Sequence, residues 1–340
     1  MEPVNSRKPL DGRKIMQIVC EDCSISVVRS VYFCCRIAAD LGARVTCIGP
    51  ARQDLDAASH AFLMAGKRVR TGSIVDLETE IGAADAVVAC CEPDDLAKGP
   101  AVIRIGLLPE GAEPQRANGF TLMAASGMLD IVGDDKRQPL KLAGSQLDYA
   151  AGLSAYTAMA GLLAGGRGGS AYVSLLDVGI WLNWKSLVVA HGGGVPPSRK
   201  GRNSEWQVLR CRDGWIAMVY REGDWAALKR LVDDPRLDEP ELDIRANRRR
   251  RGAFIADIVE QKFLTMSRAD IVDFAKRNRV PLGPVLTLEE IVESPQYTQR
   301  AFFHSVETAD GPLTMPRVPV RWGDRVFPPG PVPEQIGAEP

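Results

Sequence analysis

The residue best placed to do chemistry is a carboxylate at the mouth of a small-residue helix. Asp148 ends the turn-rich segment AGSQL and opens the run DYAAGLSAYTAMAGLLAG, where Ala, Gly and Ser leave room for close approach. An acid in a first helical turn can tie off the helix, which is worth about 0.5–2 kcal/mol. Held ionised by the helix dipole beside a ligand, it can instead attack an activated acyl group and form a covalent intermediate. Composition leaves both roles open.

Other chemistries are poorly supplied. The chain has 3 histidines, too few for a persuasive Ser-His-Asp triad. The HGGG of His191 to Gly194 lacks the G-x-S-x-G elbow that an esterase needs, and it reads as part of a linker. No histidine cluster suggests a catalytic metal, so none is expected. Cys20 and Cys23 form a C-x-x-C, with Cys34 and Cys35 on a following helix. No second C-x-x-C follows and the nearest histidine is His60, so these read as buried small thiols. The segment after the first strand, EDCSISVVRS, has none of the glycines of a dinucleotide fingerprint. The run Arg248 to Arg251 reads as a solvated helix start.

The elements that must position Asp148 follow from periodicity. Lys14 to Cys20, Ala43 to Ile48, Asp85 to Cys91 and Ala101 to Leu107 are strand-like. Val27 to Leu41, Ile74 to Ile81 and Leu147 to Ala164 are helical. A strand at Tyr172 to Leu176 and a helix at Val178 to Ala190 follow. This alternation predicts an α/β fold: a Rossmann-like large domain with a parallel sheet, plus a smaller α/β domain. The large domain is expected over residues 1–195 and the small one over 205–280. Residues 281–340 are expected to return to the large domain. The linker His191 to Ser204 marks the boundary. In the small domain, Trp206 to Arg210 and Trp215 to Tyr220 read as a hairpin about Arg212-Asp213-Gly214. Helices are expected at Trp225 to Val232, Arg248 to Leu264 and Ser267 to Arg277, the last with a capping-box pair, Ser267 and Asp270. Val280 to Leu286 reads as a strand, Leu288 to Glu293 as a short helix, and the Pro-rich tail from Gly311 as extended.

With 340 residues, 45% hydrophobic and 25% charged, the chain has ordinary globular composition. Its formal net charge of −1 provides no field for nucleic acid or an anionic membrane. The opening MEPVNSRKPLDGRK lacks the apolar core of a signal peptide, and no apolar run is long enough to cross a bilayer, so a cytoplasmic location is expected.

The pattern A-x-S-G…P-L-x-L-x-G-S-x-x-D-Y-x-x-G-x-x-A, followed by VSLLD, resembles the class III coenzyme A transferases, the formyl-CoA and carnitine-CoA transferase family related to the 2-methylacyl-CoA racemases. Leu41-Gly42-Ala43, the FLMAGKR of Phe62 to Arg68, Ala84-Asp85, Arg212-Asp213-Gly214-Trp215, and Val285 to Glu290 with Ser294-Pro295 resemble further family segments in the same order. The chain departs from the pattern at Ala89-Cys90-Cys91-Glu92-Pro93, where the family has E-N-F-R-P. It also lacks the family's G-x-G-Q-x-G-P loop and the G-H-D element of the racemases.

The resemblance implies that Asp148 is a nucleophile toward an acyl-CoA thioester. It further implies CoA contacts at Lys67, Arg29 and Arg52, a substrate loop at Gly201 and Asn203 within Lys200 to Asn203, and an interlocked homodimer. CoA and acyl-CoA are then substrates, exchanged with a small carboxylic acid, with no tightly bound cofactor. An acyl-CoA racemase using Asp148 as base, or a catalytically inactive member acting as a partner or binding subunit, stays open at this level.

Overall fold

The computed structural model describes residues 7–50, 52, 54–70, 72, 77–90, 99–113, 116–134, 136–166, 168–194, 199, 201–204 and 206–333. The chain divides into two compact units. The first holds residues 1–129, 141–196 and 295–340; the second holds 130–140 and 197–294.

The first unit begins with β1 (Lys14–Ile18), α1 (Ile25–Asp40), β2 (Arg44–Ile48), α2 (Ala57–Met64), β3 (Arg68–Val69), α3 (Glu78–Gly82), β4 (Ala86–Ala89) and β5 (Ala101–Gly106). Next come α4 (Gly119–Ala125), α5 (Gln146–Gly165), β6 (Gly169–Ser174), α6 (Leu175–Leu182) and α7 (Trp184–His191). Six parallel strands run in the order β3-β2-β1-β4-β5-β6. Strand order reverses between β1 and β4, the crevice where doubly wound sheets hold ligands. Residues of β1 and β4 alternate between two cores. Ile15, Ala86 and Val88 join the α1 and α5 layer, while Met16, Ile18, Val87 and Ala89 pack with Leu77 and Ile81. Burial on both faces is why these strands read as continuous apolar runs.

α5 lies tightly on α1. A Cβ at Gly152 would stand 2.7 Å from the Ser30 carbonyl oxygen, so glycine there permits the approach. The Ser30 hydroxyl donates to the Asp148 carbonyl at 2.9 Å and tethers the start of α5 to α1. The helix expected over Val178 to Ala190 is two helices. The chain breaks at Asn183, whose amide donates to the Ser126 carbonyl at 3.1 Å.

The second unit contains β7 (Gln207–Cys211) and β8 (Gly214–Met218), then α8 (Trp225–Val232), α9 (Arg245–Arg250), α10 (Gly252–Phe263), α11 (Arg268–Asn278), β9 (Leu282–Pro284) and α12 (Leu288–Glu293). β7, β8 and β9 form an antiparallel sheet. The Ser267–Asp270 capping box is present. The arginine run is not a solvated helix start. It ends α9, the chain breaks at Arg251, and Arg248 is fully buried. Its guanidinium lies 5.0 Å from the Trp225 ring centroid and donates to the Leu242 carbonyl and to Glu222.

The chain then returns to the first unit with α13 (Pro295–Gln299), β10 (Phe303–Thr308), β11 (Gly311–Pro316), β12 (Arg321–Trp322) and β13 (Arg325–Val326). The tail is not merely extended: β10 and β11 make an antiparallel hairpin. Met315 from it is buried against Ala61 and Ala65. Among the described residues, no helix is long and apolar enough to cross a membrane.

Candidate active site

Asp148 is the third residue of α5 and 3% exposed. It lines a cavity of about 360 Å³ in the first unit, with Ser26 and Arg29 of α1, Asn118 to Phe120 at the start of α4, Lys141, and Gly144 to Leu147. Arg29 Nη1 lies 3.6 Å from Asp148 Oδ2. The position is thus neither a plain helix cap nor sealed from solvent-sized space. Ser145 at the N-cap makes no side-chain bond to the helix amides.

The electrostatics differ from the expectation of a dipole-held anion. Burial pushes the Asp148 carboxyl up to about 6, against the lowering pull of Arg29 and of the Ser26 and Ser145 hydroxyls. Desolvation outweighs them because the arginine contact is long and the helix start is shielded from water. A carboxylate with this balance is still mostly ionised at neutral pH. It is also less stabilised, and therefore a better nucleophile, than one paired tightly.

Gly119 closes one wall. A Cβ there would stand 2.6 Å from Asp148 Oδ1 and 3.1 Å from Ser26 Oγ, so only glycine leaves the carboxylate its position. The Gly119 amide donates to Ser26 Oγ at 2.8 Å. Asn118 fixes this wall through a capping box, its side chain accepting from the Phe120 and Thr121 amides at 3.0 Å each. Lys141 lies over the Phe120 ring, 5.5 Å from its centroid. Sequence reading does not single out Ser26, Gly119, Lys141 or Ser145. The Asn118-x-x-Thr121 pair ahead of an apolar run is the signal that marks the α4 start.

The other expected site residues fall in different surroundings. Lys67 is 4% exposed. Its ammonium donates to Gln17 Oε1 at 2.7 Å and to the Tyr32 carbonyl at 2.8 Å, and burial lowers its pKa. In this placement it serves the interior. Arg52 is bonded to Asp54 and to the carbonyls of Cys20, Glu21 and Cys23, so it clasps the loop between β1 and α1. Gly201 and Asn203 bound a short 3-10 turn in the second unit. Gly201 has φ +50°, and its α-carbon abuts the Asp134 carboxylate too closely for a Cβ. Lys200, and Cys91 to Pro93 of the divergent segment, lie outside the described residues.

The cysteines also depart from expectation. Cys34, Cys35 and Cys47 are buried thiols, but Cys23 and Cys90 are only partly buried and lie side by side, and Cys20 is disulfide-bonded.

The chain belongs to CoA-transferase family III, whose profile matches residues 110–335. It is 23% identical over 312 residues to a succinate–glutarate CoA-transferase of Agrobacterium fabrum, covering 78% of this chain and 76% of that one. A CaiB/BaiF family protein of Brucella suis shares the fold with a TM-score of 0.76 at 19% identity, covering 95% of this chain and 94% of that one. So does the hypothetical protein Rv3272 of Mycobacterium tuberculosis, with a TM-score of 0.76 at 18% identity, covering 95% and 96%.

Proposed function

We propose that this protein moves coenzyme A from an acyl-CoA to a free carboxylic acid, with Asp148 as the nucleophile. The observation that carries this reading is the buried, loosely paired Asp148 carboxylate at the wall of the 360 Å³ cavity.

An oxygen of Asp148 attacks the thioester carbonyl, the carbon–sulfur bond breaks, and CoA leaves as thiolate. The product is a mixed anhydride. The thiolate then attacks the aspartyl carbonyl, releasing the donor acid and leaving an aspartyl-CoA thioester. The acceptor carboxylate attacks this thioester and expels the thiolate again, forming a second anhydride. Thiolate attack on the acceptor's acyl carbon yields the new acyl-CoA and frees Asp148. Charges balance at every step and no proton is required. Arg29 offsets the negative charge that gathers when two carboxylates and a thiolate share the cavity. Exclusion of bulk water protects the anhydride from hydrolysis.

Among the described residues, Arg29 and Lys141 are the cationic side chains lining this cavity. Together with the name of the Agrobacterium relative, they favour a short dicarboxylic acid as acceptor. CoA is a substrate, and Arg29 is the expected contact that remains nearest the reacting acid. By resemblance to the family, Gly201 and Asn203 belong to a substrate loop. A second copy of the chain is the proposed partner, in keeping with the apolar exposure of Trp181 (75%), Trp184 (54%) and Val188 (59%) on α6 and α7. Light scattering that returned only a monomer would remove that part.

The test of the chemistry is trapping. A panel of acyl-CoA donors is added with hydroxylamine, and the peptide containing Asp148 is weighed. A hydroxamate on Asp148, absent in Asp148→Ala, supports the proposal. Turnover without any adduct contradicts it.

A further inference from the structure

The strand order brings together cysteines that are far apart in sequence. Cys20 and Cys23 lie in the loop after β1, and Cys90 directly follows β4, the strand paired with β1. Their three sulfurs all lie within 4.8 Å of one another. Cys23 Sγ is 2.6 Å from Cys90 Sγ, and the Cys20 amide donates to Cys90 Sγ at 3.1 Å. The loop is braced from its other side, where Arg52 donates to the carbonyls of Cys20, Glu21 and Cys23 at 3.3, 2.9 and 3.0 Å.

Sulfurs gathered in this way match a thiolate metal site. In a tetrahedral zinc site with Zn–S bonds of about 2.3 Å, neighbouring sulfurs stand about 3.8 Å apart. The cluster spans that distance, and the close Cys23–Cys90 contact would open by about an ångström on metal entry. A C-x-x-C on one loop joined to a cysteine on another is also the arrangement by which zinc ties two segments together. We propose that the reduced chain binds one zinc ion through Cys20, Cys23 and Cys90. With water as the fourth ligand, the bound ion pins the loop that precedes α1, the helix carrying Ser26 and Arg29.

Reduction comes first. A phosphine supplies two electrons to the Cys20 disulfide and becomes a phosphine oxide with oxygen from water, which also supplies the two protons. A dithiol supplies both electrons and protons and becomes a disulfide. Either route gives two thiols. Each coordinating thiol then releases its proton as its sulfur binds the ion. The site is independent of the acyl-transfer chemistry, since Asp148 takes no part in it.

The full-length protein, reduced with a phosphine and dialysed against zinc, is assayed for metal by mass spectrometry. One zinc per chain is expected, with loss in Cys23→Ser and in Cys90→Ser and retention in Asp148→Ala. Cobalt titration of the unmutated chain guards against variants that fail to fold. It should give the near-ultraviolet charge-transfer band of several thiolates on one cobalt ion, and zinc should abolish it. A reduced chain that takes up neither metal overturns the proposal. So does a Cys23–Cys90 disulfide that forms equally fast with and without zinc, and so does iron in place of zinc.

Discussion

Each unit of this protein holds an acid beside an arginine, and the two pairs are built in opposite ways. In the second unit Glu290 meets Arg268 through two bonds of 2.6 and 2.9 Å, and it accepts the Thr287 amide at 2.8 Å. That pairing pulls its pKa down to about 2. In the first unit Arg29 stands 3.6 Å from Asp148 and burial prevails, pushing the acid up to about 6. Bidentate pairing in a wet place makes a carboxylate inert. Loose pairing in a dry place leaves one that is ionised yet poorly satisfied, which is what a nucleophile requires.

The largest effect that sharpens this contrast is on turnover. Asp148→Asn should lower kcat by at least about a thousandfold, whereas Glu290→Gln should leave the chemical step intact. Steady-state assays of both variants make the comparison, and comparable losses would erase the distinction. Gly119→Ala comes next. Its added methyl must displace the Asp148 carboxylate or the Ser26 hydroxyl, so kcat should fall about tenfold to a hundredfold with little change in melting temperature.

The pH dependence follows with opposite signs for the two acids. Activity should fall about tenfold per pH unit below about 6, as Asp148 protonates. Arg29→Gln removes a cation that favours the anion, so this limb should move to higher pH. For stability, Asp148 has a raised pKa. Its favourable contribution is therefore complete below the ordinary 3.8 and is lost as pH rises through about 6. Asp148→Asn should accordingly stabilise the protein near pH 7, by about 3 kcal/mol if the full difference is recovered. Denaturant titrations at pH 5 and pH 7 (round values on the acid side of and above about 6) test it. Glu290 has a lowered pKa. Its contribution is complete above the ordinary 4.5 and is lost as pH falls toward about 2. The smallest effect expected is the loss of that partly buried pair in Glu290→Gln, a slight fall in melting temperature that high salt reduces further.

Much of the frame was legible in the sequence, because it depends on local pattern. Buried strands β1, β2, β4 and β5 announce themselves as apolar runs, and α5 as a long small-residue helix starting beside Asp148. The Ser267 capping box and the β7–β8 turn at Asp213-Gly214 are likewise local signals. What escaped was set by tertiary contact. The break at Asn183 depends on its bond to Ser126, and the burial of Arg248 depends on Trp225 and Leu242. Cys90 joins Cys20 and Cys23 only once β4 is known to pair with β1. The β10–β11 hairpin did carry a signal, the turn Asp310-Gly311 with Gly311 at φ +107°, but the surrounding prolines obscured it. At the site, Asp148 was visible as an acid in a first turn. The walls that give it a cavity come from α1 and α4, which spacing along the chain does not connect to it.

In the proposed reaction an oxygen of Asp148 becomes bonded to the substrate's acyl carbon. The most direct measurement supplies an acceptor acid with isotopically heavy carboxylate oxygens, allows turnover, and weighs the peptide containing Asp148. Heavy oxygen should appear in the Asp148 carboxyl and then pass into the released donor acid. Efficient transfer with all of the label confined to the new acyl-CoA and its parent acid would contradict it.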